Sequence, residues 1–418
     1  MVVNALWDYI DSLPIVSTHE HHKPFLPCEK GSLEFLFANS YVAWCGVDCI
    51  AVSDRARFLD LVSGNSYFVW YEKALDELFD LGGKITVRNW DETSEKIRAV
   101  FSDVGFHERV FRKRCGFERA IQDSQWEPGS DNGRPDLYAP AFRINSFLIA
   151  YHPDARDHNG NNAQVLYGKC GDADEYLSML EKVIEKMKAK GCVCLKLAVD
   201  AGHPLSFNGG SKHIADRIFG KSPEEVSQTN ARAFADYVFE QICVIAARHN
   251  MPLQCHTGLG TPGTSHPLNL IQAIERHRDT RFVILHGGYP WTSEVAALTH
   301  SYENVYVDMS VLPLVCTSTA VKHLHSLLEA ARDASRITWG GDCCYVTESY
   351  GAAMAMRHVL NVVLSEKIAS GYLTKQRACR LAERILAVNA EELYDLPRAK
   401  YTSKYHERFS RPSSFEFG

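Results

Sequence analysis

Eight short, strongly apolar segments recur along this chain, and from residue 116 onward most neighbours are separated by one helix-forming stretch. The first ends in Pro14-Ile15-Val16-Ser17-Thr18-His19-Glu20-His21. Strands are expected again over residues 116–123, 142–150, 191–199, 252–256, 281–286, 305–309 and 337–341. Apolar residues at helical spacing predict helices over 174–190, 224–249, 268–277, 293–302, 319–334 and 350–369. Strands that are apolar without alternation must be covered on both faces, as in a parallel sheet wrapped by helices. Eight such units fit an α/β, (β/α)8 TIM barrel better than an open doubly wound sheet. Residues 32–114 are too long for one crossover and read as a helical insertion after the first strand, broken at Gly82-Gly83. The barrel is expected to be a single domain over residues 1–397, followed by a polar tail over 398–418.

Composition narrows the function. Lys and Arg total 45 against 51 Asp and Glu, a net charge of -6, which gives no reason to expect nucleic acid as a partner. No basic segment precedes an apolar run at the start, and no apolar run reaches membrane-spanning length. The 13 cysteines are scattered and unpaired in spacing, as expected of reduced thiols in a cytoplasmic protein. Neither a Gly-x-Gly-x-x-Gly turn nor a Walker-type loop follows the first strand, which counts against a nucleotide site. A small molecule is the expected substrate, and assembly is expected to be as a homo-oligomer.

In a barrel of this kind the strand C-termini converge on one mouth. The first strand ends in His19 and His21, which share a face because they are two residues apart, whereas His22 points the other way. The fourth carries Lys196, the fifth ends in His256, the sixth in His286, and the eighth runs into Asp342. Each residue alone has an ordinary explanation. A His-x-His is commonly a polar turn, a single strand-end histidine a hydrogen-bonded core residue, a lysine in an apolar strand an ion-pair partner, and an aspartate after Gly340-Gly341 a helix cap. Their joint fall at the same end of separate strands favours a divalent transition metal such as zinc, bound by imidazole and carboxylate.

These motifs also carry a resemblance. Thr18-His19-Glu20-His21, Leu195-Lys196-Leu197, Gln254-Cys255-His256-Thr257-Gly258, Leu285-His286-Gly287-Gly288-Tyr289-Pro290-Trp291, Tyr306-Val307-Asp308 and Trp339-Gly340-Gly341-Asp342 resemble the amidohydrolase superfamily. Within it, the chain is similar to the amidohydrolase-related (amidohydrolase 2) group, which includes the barrel found beside glutamine synthetase in FluG-type proteins. Residues 385–390 resemble the family's closing helix. The resemblance implies that His19, His21 and Asp342 hold one metal. It also implies that Lys196, carboxylated on its amine, bridges to a second metal held by His256 and His286. Some relatives use one metal only, with His286 polarising the substrate carbonyl. Zinc is the first expectation, with manganese or iron as alternatives.

That ligand set implies a metal-activated water, with Asp342 accepting its proton and returning it to the leaving group, and His286 or a second metal stabilising the oxyanion. The expected reaction is hydrolysis of an amide, or of a lactone or ester, of a small polar acid. A metal-dependent decarboxylase or a sugar-acid isomerase on the same scaffold is the alternative, and a non-catalytic binding barrel the third reading. Arg143, Trp126, Tyr289 and Trp291, near strand ends, are the candidate substrate contacts, with Arg143 suited to grip a carboxylate bidentately. Cys343 and Cys344 are expected to pack.

Overall fold

A computed structural model describes residues 2–25, 30–198, 204–260 and 262–398. The expected tail lies outside the described residues except for Arg398, and so does Val199 at the end of the expected fourth strand. Eight strands run in sequence order around one parallel sheet: β1 (Ile15–Glu20), β2 (Phe117–Gln122), β3 (Tyr138–Arg143), β4 (Cys194–Leu197), β5 (Leu253–Cys255), β6 (Phe282–Ile284), β7 (Val305–Asp308) and β8 (Ile337–Thr338). The fold is a (β/α)8 barrel. The ring closes just beyond β8, where the Thr18 amide donates to the Trp339 carbonyl (3.2 Å), the Asp342 amide to the His19 carbonyl (2.7 Å) and the His21 amide to the Cys343 carbonyl (2.9 Å).

The apolar side chains divide into two clusters. The smaller fills the barrel interior with Val16, Ile121, Ala141, Cys194, Val283 and Leu285. Its floor is plugged by Ala387, Ala390, Leu393 and Tyr394 from the closing helical segment. The larger lies between strands and helices, with Ile15, Phe117, Leu195, Leu253, Phe282, Val305 and Ile337 facing outward. A helix not expected from the sequence, α1 (Val2–Ser12), precedes β1. The insertion includes α2 (Ser66–Phe79), capped by the Asn65 side chain, which accepts from the Phe68 amide at 3.1 Å. The face of α2 bearing Tyr67, Tyr71, Ala74 and Leu75 is buried, and the helix packs against α7 (Val346–Ala369). Between the strands run α3 (Ala173–Ala189), α4 (Gln228–Arg248), α5 (Thr292–Ser301) and α6 (Thr317–Ala330).

Two expected elements are displaced. β3 ends at Arg143, and residues 144–150 make a turn of helix (Asn145–Leu148) rather than continuing the strand. A short apolar run has the same appearance in a buried strand and in a buried helical turn. The expected helix over 268–277 is a 3₁₀ turn (Pro267–Leu270) followed by a short helix (Ile271–Arg276). Among the described residues no helix is long and apolar enough to cross a membrane.

Candidate metal centre at the barrel mouth

β1 is buried along its whole length, so His19 and His21 enter the mouth from a strand end already fixed on both faces. Their ring centroids are 4.7 Å apart. Asp342 reaches the same point from beyond β8 in a left-handed backbone conformation, φ +57°. A non-glycine residue there is strained by roughly 1–2 kcal/mol, which the surrounding bonds must offset. Asp342 Oδ1 lies 3.2 Å from His21 Nε2 and 3.5 Å from His19 Nε2. One ligand atom from each of the three residues lies within 4.8 Å of the others, and all three side chains are buried.

The hydrogen bonds assign the protons. His21 Nδ1 donates to the Asp123 carbonyl at 2.7 Å, which leaves the Nε2 lone pair aimed at the Asp342 carboxylate. A lone pair and a carboxylate oxygen facing each other in a buried site repel unless a cation lies between them. A histidine oriented through its second nitrogen by a backbone carbonyl is the usual arrangement for a metal ligand. Burial, followed by the charge of Lys196, pushes the His19 imidazole well below its ordinary pKa, so it is a neutral donor. Burial also opposes ionisation of Asp342, but the positive charge around it, Lys196 included, outweighs it and holds its carboxyl below the usual range. Neutral imidazole plus ionised carboxylate fits a divalent cation.

The other expected residues surround this group. Lys196 Nζ is 3.0 Å from His19 Nε2 and 3.9 Å from Asp123 Oδ2. Burial pulls its pKa down to about 8, with Asp123 working against that shift. His256 is held at about 4, by burial and then by Lys196. Its Nε2 donates to the Leu259 carbonyl at 3.0 Å, and its Nδ1 accepts from His286 Nε2 at 2.9 Å. His286 Nδ1 lies 3.5 Å from Asp342 Oδ2. Its backbone is left-handed too, φ +61°, which turns the ring inward just after β6. His22 faces away, bonded to Tyr138 and Ser349. A second group of possible ligands, Glu181, Glu185 and His249, lies on the outside of the barrel, where Arg248 pairs with Glu181.

A cavity of about 520 Å³ opens onto the centre and is lined by His21, Lys196, His256 and Asp342 among others. Arg143 lines it as well, but the fork expected for a substrate carboxylate is taken. Its Nε and Nη2 donate to the two oxygens of Asp123 at 3.1 and 2.6 Å. Trp126, Tyr289 and Trp291 do not line the cavity. Trp126 is 41% exposed beneath the Lys23 ammonium, the Tyr289 carbonyl accepts from the Leu259 amide at 3.0 Å, and the Trp291 ring packs on His266. Nearness to a strand end in sequence does not fix direction, and these three side chains pack around the mouth.

Two residues absent from the sequence reading belong to this site. Asp123 closes the segment expected as the second strand, so the strand-end rule that selects His256 also selects it. Tyr41 comes from the insertion, and nothing in the sequence signals it. Its hydroxyl lies 3.4 Å from Asp342 Oδ1, and its ring stacks on Trp44, which is 64% exposed at the cavity rim.

Residues 218–396 match the amidohydrolase family model. They contain β5 to β8 with His256, His286 and Asp342. Over this second half of the barrel the chain is similar to the amidohydrolase family. It is 33% identical over 174 residues to Protein fluG of Emericella nidulans, a match that takes in 40% of this chain and 20% of that much longer protein. Among solved structures it resembles the uronate isomerase of Thermotoga maritima, with TM-score 0.74 and 16% identity, over 94% of this chain and 97% of that one. It also resembles a Lactobacillus casei protein described only provisionally as a metal-dependent hydrolase, with TM-score 0.68 and 16% identity, over 97% and 99% of the two chains. At these identities the structural matches establish the barrel and leave the reaction to the site.

Proposed function

We propose that this barrel is a member of the amidohydrolase superfamily and a metal-dependent hydrolase of an amide, or of a lactone or ester, of a small polar acid. The observation that carries the reading is the convergence of His19, His21 and Asp342 at the buried end of the cavity. These three residues would hold a divalent ion, zinc in the first instance, which supplies Lewis acidity to water and to a substrate carbonyl. Asp342 offers Oδ1 toward His19 and His21 and Oδ2 toward His286. One carboxylate can thus serve as ligand and take up a proton from the attacking water, then return it to the leaving group. His286, neutral because burial and His256 depress its pKa, stands beside it, and it would polarise the carbonyl by turning the Nε2 proton it now gives to His256 toward the substrate.

The geometry favours one ion. His256 and His286 engage each other and the Leu259 carbonyl, and only His19, His21 and Asp342 form a three-residue ligand group at the mouth among the described residues. A second ion would require Lys196 to be carboxylated. Its lowered pKa makes the uncharged amine that this reaction needs accessible near neutrality. Metal content per chain and the intact mass of Lys196-containing peptides decide between one ion and two.

The reaction is tested by offering the purified metal-loaded protein a panel of N-acyl amino acids, lactones and uronates in H₂¹⁸O. Incorporation of ¹⁸O into a cleaved product supports the hydrolase. An aldose converted to a ketose, or release of carbon dioxide without cleavage by water, replaces it with the isomerase or the decarboxylase.

A further inference from the structure

Between His19 and His21, at the end of β1, stands a residue that the proposed chemistry does not use. Glu20 is fully buried, and its carboxylate is turned away from the mouth toward the backbone that follows β8. Its Oε1 accepts from the Gly341 amide at 3.0 Å and from Ser17 Oγ at 2.7 Å. Its Oε2 accepts from the Cys343 amide at 2.9 Å and from Ser349 Oγ at 3.1 Å, with His22 Nε2 at 3.3 Å. The carboxylate therefore brackets Asp342, bonding the amide before it and the amide after it. The amide of Asp342 itself donates to the carbonyl of His19. Three consecutive amides of one strand extension are thus anchored on two consecutive residues of another.

The local backbone is shaped for this contact. The pairing of β1 with β2 carries an irregularity between Ser17 and Glu20, which re-aims the strand end. Gly340 and Gly341 admit the close approach. A Cβ at Gly340 would meet the His19 nitrogen at 2.4 Å, and one at Gly341 would meet Glu20 Oε1 at 2.4 Å. Asp342 is held left-handed in the middle of this segment, so its side-chain direction depends on the bonds that flank it. Charge-assisted bonds from backbone amides to a buried carboxylate are among the stronger hydrogen bonds a protein makes.

We infer that Glu20 is a positioning residue that fixes Asp342 against His19 and His21, setting the ligand spacing of the metal centre from the opposite face of β1. This rests on the metal-centre reading above and adds to it a residue that touches neither ion nor substrate. Glu20→Gln keeps the shape but turns an amide donor toward a backbone donor. Glu20→Asp keeps the charge but is one methylene too short to span both amides. Gly341→Ala leaves Glu20 intact and crowds its Oε1 off the bracket.

The test loads wild type and the three variants with Co²⁺ or Zn²⁺, measures affinity by competition with a chromophoric chelator, and records the visible absorption of the Co²⁺ forms. Thermal melting checks folding in parallel. Removing the partner that orients a ligand typically weakens metal binding by about 10–100-fold. We expect losses of that order, with a shifted Co²⁺ band, in Glu20→Gln, Glu20→Asp and Gly341→Ala alike. Folded variants with wild-type affinity and spectrum overturn the inference, and so does rescue by Glu20→Asp, which would make charge rather than reach the requirement. Failure of all three to fold overturns it too, by making Glu20 a determinant of folding. Asp342→Asn separates this outcome from the parent reading. If wild type and Asp342→Asn bind metal equally, the metal centre itself is wrong. If Asp342→Asn loses the metal while the Glu20 variants keep it, only the inference fails.

Discussion

Asp123 serves three neighbours at once. Its carbonyl orients His21, its carboxylate grips Arg143 at two points, and it stands 3.9 Å from Lys196. Burial alone would favour its protonated form, but Arg143, His21 and Lys196 outweigh that and hold its pKa at about 2. Asp123→Asn should therefore strand a buried guanidinium, and removing one partner of a buried pair costs about 3–5 kcal/mol. Urea unfolding measures this, and a loss below about 1 kcal/mol would show that Arg143 finds another partner. His323 presents the converse case. Among the described residues neither of its ring nitrogens has a hydrogen-bond partner, and burial pushes its pKa down to about 3. The unfolded chain binds a proton there near pH 6.5 and the folded chain does not, so stability is full above 6.5 and falls as pH drops toward 3. At pH 5 the linkage is worth about 2 kcal/mol. The stability of His323→Leu relative to wild type should rise by about that much between pH 7 and pH 5, and parallel pH profiles would refute the assignment. At this scale the sequence is informative where a residue's role follows from its own strand. His19, His21, Lys196, His256, His286 and Asp342 are each singled out by position at or near a strand end, and the structure gathers the six around one point. Arg143 is read toward substrate because the residue it pairs with lies on another strand, which spacing within one segment does not reveal.

The insertion is the element in which the sequence says least about function. Its helices are legible from apolar spacing, but which of its loops crosses the mouth is decided by packing of α2 on α7. That packing brings the short 3₁₀ turn Tyr41–Cys45 over the centre, so Tyr41 meets Asp342 and Trp44 forms part of the cavity rim. Tyr41→Phe removes one hydroxyl from the carboxylate that carries the proposed proton transfer. A hydrogen bond to a charged group is worth about 1.5–3 kcal/mol, so kcat should fall about 10–100-fold with the fold and the metal content unchanged. Equal turnover by Tyr41→Phe would make the tyrosine a packing residue. The strands show the complementary lesson. Their existence follows from the apolar runs, whereas their ends do not. β8 is only Ile337–Thr338, because the segment beyond it runs on as an extension anchored to β1, with Gly340 and Gly341 allowing the contact.

Across the whole molecule, the candidate ligands sit on the seam where the chain's first strand meets its last. His19 lies on β1, His21 one residue beyond it and Asp342 just past β8, and among the described residues the two segments are joined by single backbone bonds from Thr18–Trp339 to Lys23–Cys344. The (β/α)8 reading from sequence rests on counting units, and a count places the two strands side by side without saying what holds them. The geometry shows backbone bonds and buried side chains at the join, with the proposed ion positioned to tie both ends of the ring together. An ion that binds only the closed seam stabilises the folded state by mass action, about 4 kcal/mol when it is present at 1,000 times its dissociation constant. Stripping the metal with a chelator should therefore lower the melting temperature, and graded Zn²⁺ should restore it in proportion to the logarithm of free metal. His19→Ala should melt near the stripped wild type and fail to respond to Zn²⁺. Should the stripped and loaded proteins melt together while metal analysis confirms the loss, the seam is held by its backbone and by Glu20 alone, and the ion serves chemistry without closing the barrel.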